Sequence, residues 1–272
     1  MISDITIGQY YQTESVIHKL DPRVKLAGTL LFFISLFCFN NPAGYAVAFL
    51  FMMVVIMLSK VPITYMLKGM KAIVFLLLIT VAINLFLTQG EVVVSFWKLS
   101  ITKEGIFLAA QLILRLSMLI ISSSIMTLTT TPNHLTDGLE KGLGFLKVIK
   151  VPVHEIAMMM SIALRFIPIL MEETDKIMKA QLARGADLES GNIFKKVKAM
   201  VPILVPLFVS AFRRANDLAM AMEARCYRGG DIRTKMKPLK YEKRDAVAYV
   251  ILFLYMGVSI VLGRLPFFAI NW

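Results

Sequence analysis

Apolar residues along the chain are gathered into blocks set apart by short polar or charged stretches. Five blocks, at residues 26–39, 43–58, 72–88, 106–128 and 246–263, are apolar almost throughout. A bilayer needs about 20 such residues per helical span, so the pattern predicts five transmembrane helices. The first two blocks are short for that thickness, and flanking residues or local thinning must help them. Asn40-Asn41-Pro42 predicts a tight turn between them.

Residues 129–245 follow another pattern, too charged for further spans and too apolar for a plain loop. Two stretches inside it share a layout. Glu155 to Gly185 begins apolar and ends charged, and Phe194 to Gly229 does the same. Each predicts a helix of roughly 30 residues, about 45 Å long. Pro168 in one, and Pro202 with Pro206 in the other, are expected to kink or interrupt them. The apolar halves need lipid or another helix, and the charged halves need water or a polar partner. A shorter helix is expected near 132–146, with Thr131 as cap and Pro132 in its first turn. The expected class is all-α. A four-span membrane domain covers 1–128, a cytoplasmic or interfacial coupling domain of long helices covers 129–245, and a last span with its tail covers 246–272.

Lys and Arg placement sets the expected orientation. Lys19, Arg23 and Lys25 precede the first block, and Lys60, Lys68 and Lys71 follow the second. The loop around 89–105 balances Lys98 and Lys103 with Glu91 and Glu104, and the tail has Arg264. Five spans with a cytoplasmic N-terminus and an outer C-terminus fit this distribution. No cleavable signal peptide is expected, because the first 25 residues are polar and lack a small-residue cleavage site.

Composition agrees with the pattern. The chain is 57% hydrophobic, above the roughly 45–50% of soluble domains. The formal net charge of +12 belongs to loops flanking apolar blocks, and no nucleic-acid-reading motif accompanies it. Cys38 and Cys226 fall in unlike surroundings and imply no disulfide framework.

Catalytic patterns are missing. Gly138, Gly142 and Gly144 lack the Lys-Ser/Thr of a phosphate loop, and His154-Glu155 lacks a second His, with Met158 in its place. Ser122, Ser123 and Ser124 lie in the fourth block without a nearby base, which suits helix packing. No catalytic residue, metal ligand or cofactor is expected. Arg115, mid-span, fits either a partner or polar gap, or a tilted helix that lets it snorkel.

The positive signal is a pair of helix endings, Ala183-Arg184-Gly185 and Ala224-Arg225-Cys226. Small neighbours leave each arginine open to a docking partner, and a guanidinium offers five donors and a permanent charge. The plainer alternative is a cation complementing a helix dipole beside a capping glycine. Glu223 could orient Arg225 or form a solvated pair of little energy. Met158, Met159, Met160, Met220 and Met222 suit either an adaptable surface or core filling.

The chain resembles the transmembrane T component of energy-coupling factor (ECF) transporters, a branch of the ABC importers, over nearly its whole length. The resemblance rests on Gly8-Gln9-Tyr10-Tyr11, His18 through Lys25, Thr131-Pro132, and Gly138-Leu139-Glu140. It continues through Arg165-Phe166-Ile167-Pro168, Ala180 to Gly185, Pro202 to Pro206, Arg213-Arg214-Ala215 and Ala221 to Arg225. It implies a non-catalytic subunit joining two cytosolic ABC-type ATPases to a small substrate-binding membrane (S) component for uptake of vitamins or other micronutrients. It also implies that Arg184 and Arg225 enter grooves of the two ATPases. Cys226 stands where the family usually has Gly, so the second cap is expected later, at Gly229 or Gly230. A conventional ABC permease would carry polar residues along several spans, and a membrane enzyme would cluster His, Asp, Glu or Cys at one depth. The chain shows neither pattern.

Overall fold

The structure is a computed structural model describing residues 10–39, 41–88, 90–96, 99–186, 193–227, 229 and 238–264. The five apolar blocks are all helical: α1 (Pro22–Cys38), α2 (Pro42–Ser59), α3 (Ile63–Leu87), α4 (Lys103–Thr129) and α8 (Lys243–Arg264). Between α4 and α8 lie α5 (Pro132–Gly142), a 3-10 turn (Gly144–Ile149), α6 (Val153–Ala183) and α7 (Ile193–Ala224). The chain is therefore an all-α polytopic membrane protein. By length and composition α2, α4 and α8 can cross a membrane, and so can α6, in which the sequence pattern marked an apolar first half.

The stretch expected as a loop near 89–105 contains a small hairpin. Val92–Phe96 pairs antiparallel with Leu99–Thr102, with Val94 opposite Ile101. Its β-branched and aromatic residues suit extended backbone. Thr102 ends it and caps α4 by accepting from the Gly105 N–H at 3.1 Å. Asn40, part of the expected turn between α1 and α2, lies outside the described residues. Beside it Gly44 is required, since a Cβ there would sit 2.5 Å from the Phe39 ring.

The chain divides into two compact units. The larger contains α1 to α5, the hairpin and α8; the smaller contains the 3-10 turn, α6 and α7. The core of the larger unit joins Phe32, Leu36, Met52, Met118, Ile125 and Tyr255. Phe51 stacks on Tyr255 with ring centroids 4.3 Å apart. Buried hydroxyls lie among these groups, and Ser35 Oγ bonds Tyr255 Oη at 2.8 Å. The outer surface is apolar instead: Phe37, Leu50, Met57, Phe75 and Leu254 are all exposed. Such an outer face would be costly in water and suits a bilayer solvent.

α1 and α8 run parallel, because Asp21 meets Asp245, Ser35 meets Tyr255 and Asn41 meets Leu262. Asp245 fixes their common starting level. One carboxylate oxygen accepts from the Asp21 N–H at 2.9 Å, and the other from the Glu242 N–H at 2.8 Å. Asp21 in turn accepts from the Arg23 N–H at 2.9 Å and caps α1. A single buried carboxylate thus satisfies donors at two helix starts.

Asp245→Ala would strand both N–H groups and is expected to destabilise the protein by about 2–4 kcal/mol. Asp245→Asn keeps one acceptor oxygen and is expected to lose roughly half as much. Thermal unfolding in detergent, followed by circular dichroism, measures both; equal midpoints for wild type and Asp245→Ala would contradict the role.

Candidate functional site

The site is built on α6 and α7, which pack as an antiparallel pair. Met158 meets Tyr227, Glu173 meets Arg214, and Gln181 meets Pro202, so the α7 numbers fall as the α6 numbers rise. Between them Ile162, Phe166 and Leu170 of α6 and a strip of small residues on α7, Ala211, Ala215 and Ala219, line a common apolar cavity of about 290 Å³. Alanines spaced four apart lie on one helical face and allow close approach.

Polar clamps fix the register. Arg214 donates to Glu173 at 2.6 Å across the seam. Tyr227 Oη donates to Met158 Sδ at 3.1 Å. Both helices run unbroken through the prolines expected to disturb them, Pro168 in α6 and Pro202 with Pro206 in α7. Pro206 has no N–H, so the Pro202 carbonyl lacks its helical donor. Gln181 of α6 supplies one, with Nε2 donating to that oxygen at 3.3 Å. A proline that would otherwise weaken α7 therefore becomes an attachment point for the end of α6.

Both arginine-tipped endings have the same backbone design. At the end of α6 the Gly185 N–H reaches the Leu182 carbonyl at 3.0 Å, and the Ala186 N–H reaches that of Gln181 at 3.0 Å. At the end of α7 the Cys226 N–H reaches Glu223 at 2.8 Å, and the Tyr227 N–H reaches Met222 at 2.9 Å. These paired bonds close a helix when the next residue turns left-handed. Gly185 does so at φ +85 and Cys226 at φ +55. The expectation of a later cap is thus corrected: Cys226 itself reverses the chain. Gly229 is also left-handed, at φ +67, and Gly230 lies outside the described residues. Glycine adopts this conformation without strain, whereas a side chain costs about 1 kcal/mol or more. The bonds of Cys226 and Tyr227 offset that cost.

Ala183, Arg184, Gly185, Glu223, Ala224, Arg225 and Cys226 are all exposed. Among the described residues neither Arg184 nor Arg225 has an ion-pair partner, and Glu223 makes no ion pair with Arg225. Because the helices are antiparallel, the two tips lie at opposite ends of the pair. A rise of about 1.5 Å per residue sets them roughly 35 Å apart along it. Sequence reasoning found the tips and included Gln181 and Arg214 among the motif residues, but it gave no role to them or to Glu173 and Tyr227, which hold the pair in register. The signal for Gln181 was indirect: a proline four residues after Pro202 guarantees a carbonyl in need of a donor.

Arg115 belongs to the larger unit, where its guanidinium lies 5.2 Å from the Phe37 ring and 5.8 Å from that of Tyr45. The electron-rich faces of these rings attract the mid-span cation. No group of three or more His, Cys, Asp or Glu among the described residues could hold a metal ion.

The family described as cobalt transport protein (CbiQ) matches residues 13–237. A Clostridium kluyveri protein named energy-coupling factor transporter transmembrane protein EcfT is 56% identical, covering 96% of this chain and 97% of its own length. Proteins of the same name from Bacillus subtilis and Lactococcus lactis are 46% and 44% identical. They cover 98% and 96% of this chain, and 99% and 98% of their own lengths.

The two left-handed positions are expected to respond oppositely. Gly185→Ala should cost about 1 kcal/mol, and Cys226→Gly should gain up to about 1 kcal/mol. Hydrogen exchange at the last amides of α6 and α7 resolves each end separately. Faster exchange at the end of α7 in Cys226→Gly would contradict the assignment.

Proposed function

Since the chain belongs to the cobalt transport protein family, as a transmembrane T component of an ECF transporter, we propose that it couples two cytosolic ATPases to a small substrate-binding membrane protein. Each arginine tip docks into a groove on one ATPase: Arg184 with Ala183 and Gly185, and Arg225 with Ala224 and Cys226. The cargo is a vitamin or another micronutrient, and its identity is set by the substrate-binding partner. ATP hydrolysis takes place in the docked ATPases. The chain lies in the cell membrane with its N-terminus cytoplasmic and its C-terminus outside. The parallel course of α1 and α8 is compatible with that orientation.

The observation that carries this reading is the pair of exposed Arg-ended caps, alike in backbone design, at opposite ends of one antiparallel pair. One partner surface is poorly placed to reach both, whereas two similar partners can each take one. Small residues around each guanidinium keep the approach open, and its five donors suit a groove lined with carboxylates and carbonyls. When the ATPases move relative to each other, the seam passes the displacement on as rigid-body motion. The membrane partner has its own apolar surface to meet: Phe194, Val197, Val201, Leu204, Phe208 and Phe212 are exposed on α7 at three- and four-residue spacing. Such spacing places them along one side of a helix.

Charge reversal tests the docking. Arg184→Glu and Arg225→Glu are each expected to lose one ATPase from copurified complexes, with uptake falling about tenfold or more, as expected when a desolvated charged contact is removed. The double variant is expected to recover no ATPase while still entering the membrane. Full assembly and full uptake in the double variant would refute the proposal.

A further inference from the structure

A polar cavity of about 300 Å³ lies in the larger unit, which does not contain the arginine tips. It opens where α4 ends and where the first turns of α1, α5 and α8 come together. Three helix starts at one place add positive potential to whatever charges line it.

Lys19, Lys25 and Lys240 line the cavity beside Asp21, Glu242 and Asp245. The carboxylates are already engaged. Asp245 accepts from two backbone N–H groups, Asp21 accepts from the Arg23 N–H, and Glu242 pairs with Arg244. Lys19 pairs with Glu14 at 2.9 Å. The other two ammonium groups have no ion-pair partner among the described residues. Lys25 donates to the carbonyls of Thr129 at 2.8 Å and His18 at 3.2 Å. Its third proton has no acceptor among the described residues. Thr130 also lines the cavity; the residue is only 7% exposed, and its hydroxyl has no hydrogen-bond partner among the described residues. The lining thus balances three ammonium groups with three carboxylates, while Lys25, Lys240 and Thr130 keep donors that none of these carboxylates takes up among the described residues, which suits a ligand with several acceptor oxygens.

A second feature identifies the anion. Leu20, Lys25 and Thr129 also line an adjoining groove of about 470 Å³. That groove is walled by α1, α2 and α8 and is apolar almost throughout, with Leu50, Val54 and Leu254 along it. We propose that the two together bind one anionic phospholipid, its phosphate in the cavity beside Lys25 and Lys240 and an acyl chain in the groove. An apolar protein helix would fill the groove but leave the donors of Lys25, Lys240 and Thr130 unmatched. A free phosphate would match the cavity but leave the groove uncovered. One amphipathic molecule satisfies both.

The test uses the full-length chain in detergent micelles doped with phosphatidylglycerol or phosphatidylcholine. Retained lipid is counted by native mass spectrometry, and thermal unfolding is followed in parallel. One phosphatidylglycerol per chain is expected to survive delipidation, with phosphatidylcholine removed. Lys240→Glu alters an exposed side chain and is expected to weaken retention about tenfold, from the worth of a basic residue near anionic lipid. Lys240→Gln should fall between this variant and wild type. Val54→Trp, which fills the groove, should lower retention without altering any charge. Equal retention of the two lipids, or retention unaffected by Lys240→Glu, would overturn the proposal. Inorganic phosphate stabilising the protein as well as phosphatidylglycerol does would overturn it too.

Discussion

The antiparallel seam of α6 and α7 is the constraint that sets where the two arginine tips lie. A parallel pair would bring both arginine tips to one end. The antiparallel pair sends them to opposite ends, and three contacts spread along its length hold that register. The Glu173–Arg214 ion pair lies in the middle, the Gln181 bond to Pro202 near one end, and the Tyr227 contact with Met158 near the other. Each contact alone is worth little. Together they resist sliding, because a slip of one turn would break all three and take the bulky side chains off their alanine strip.

The larger unit solves a different problem. Its outward surface is apolar and its interior holds hydroxyls, so contrast with water cannot by itself hold the helices together. Close aromatic stacking around Tyr255 and directed hydrogen bonds serve instead. The Asp245 carboxylate brings α1 and α8 to one level at their starts, and the Ser35–Tyr255 bond keeps them aligned further along. Residues at the two extremes of the sequence thereby become neighbours in one bundle.

Much of this was legible in the sequence, because the signals were local. Five apolar runs became helices, and the Ala-Arg endings became exposed caps. Tertiary information was less accessible. Nothing in the order of residues says that α6 and α7 run antiparallel, since that follows from pairing across the seam. The prolines read as breaks because a proline removes a local donor; Gln181, on the other helix, restored one. Cys226 was expected to pass its capping role to Gly229 or Gly230, since a glycine is the easier left-handed residue. The bonds to Glu223 and Met222 place the turn one residue after Arg225 instead. The hairpin at 92–102 was obscured by its short length and by the charged residues around it.

Tips at opposite ends of one rigid pair have a mechanical consequence. Forces of equal size and opposite direction applied across the long axis of the pair at Arg184 and Arg225 form a couple, with a lever arm of about 17 Å on each side of the midpoint from the helical rise. A couple turns a body without translating it. Equal forces in the same direction would shift the pair bodily and leave its heading unchanged. Whether the pair swivels or slides is therefore decided by the relative sense of the two pulls, and the Glu173–Arg214 contact lies close to the axis about which it would swivel.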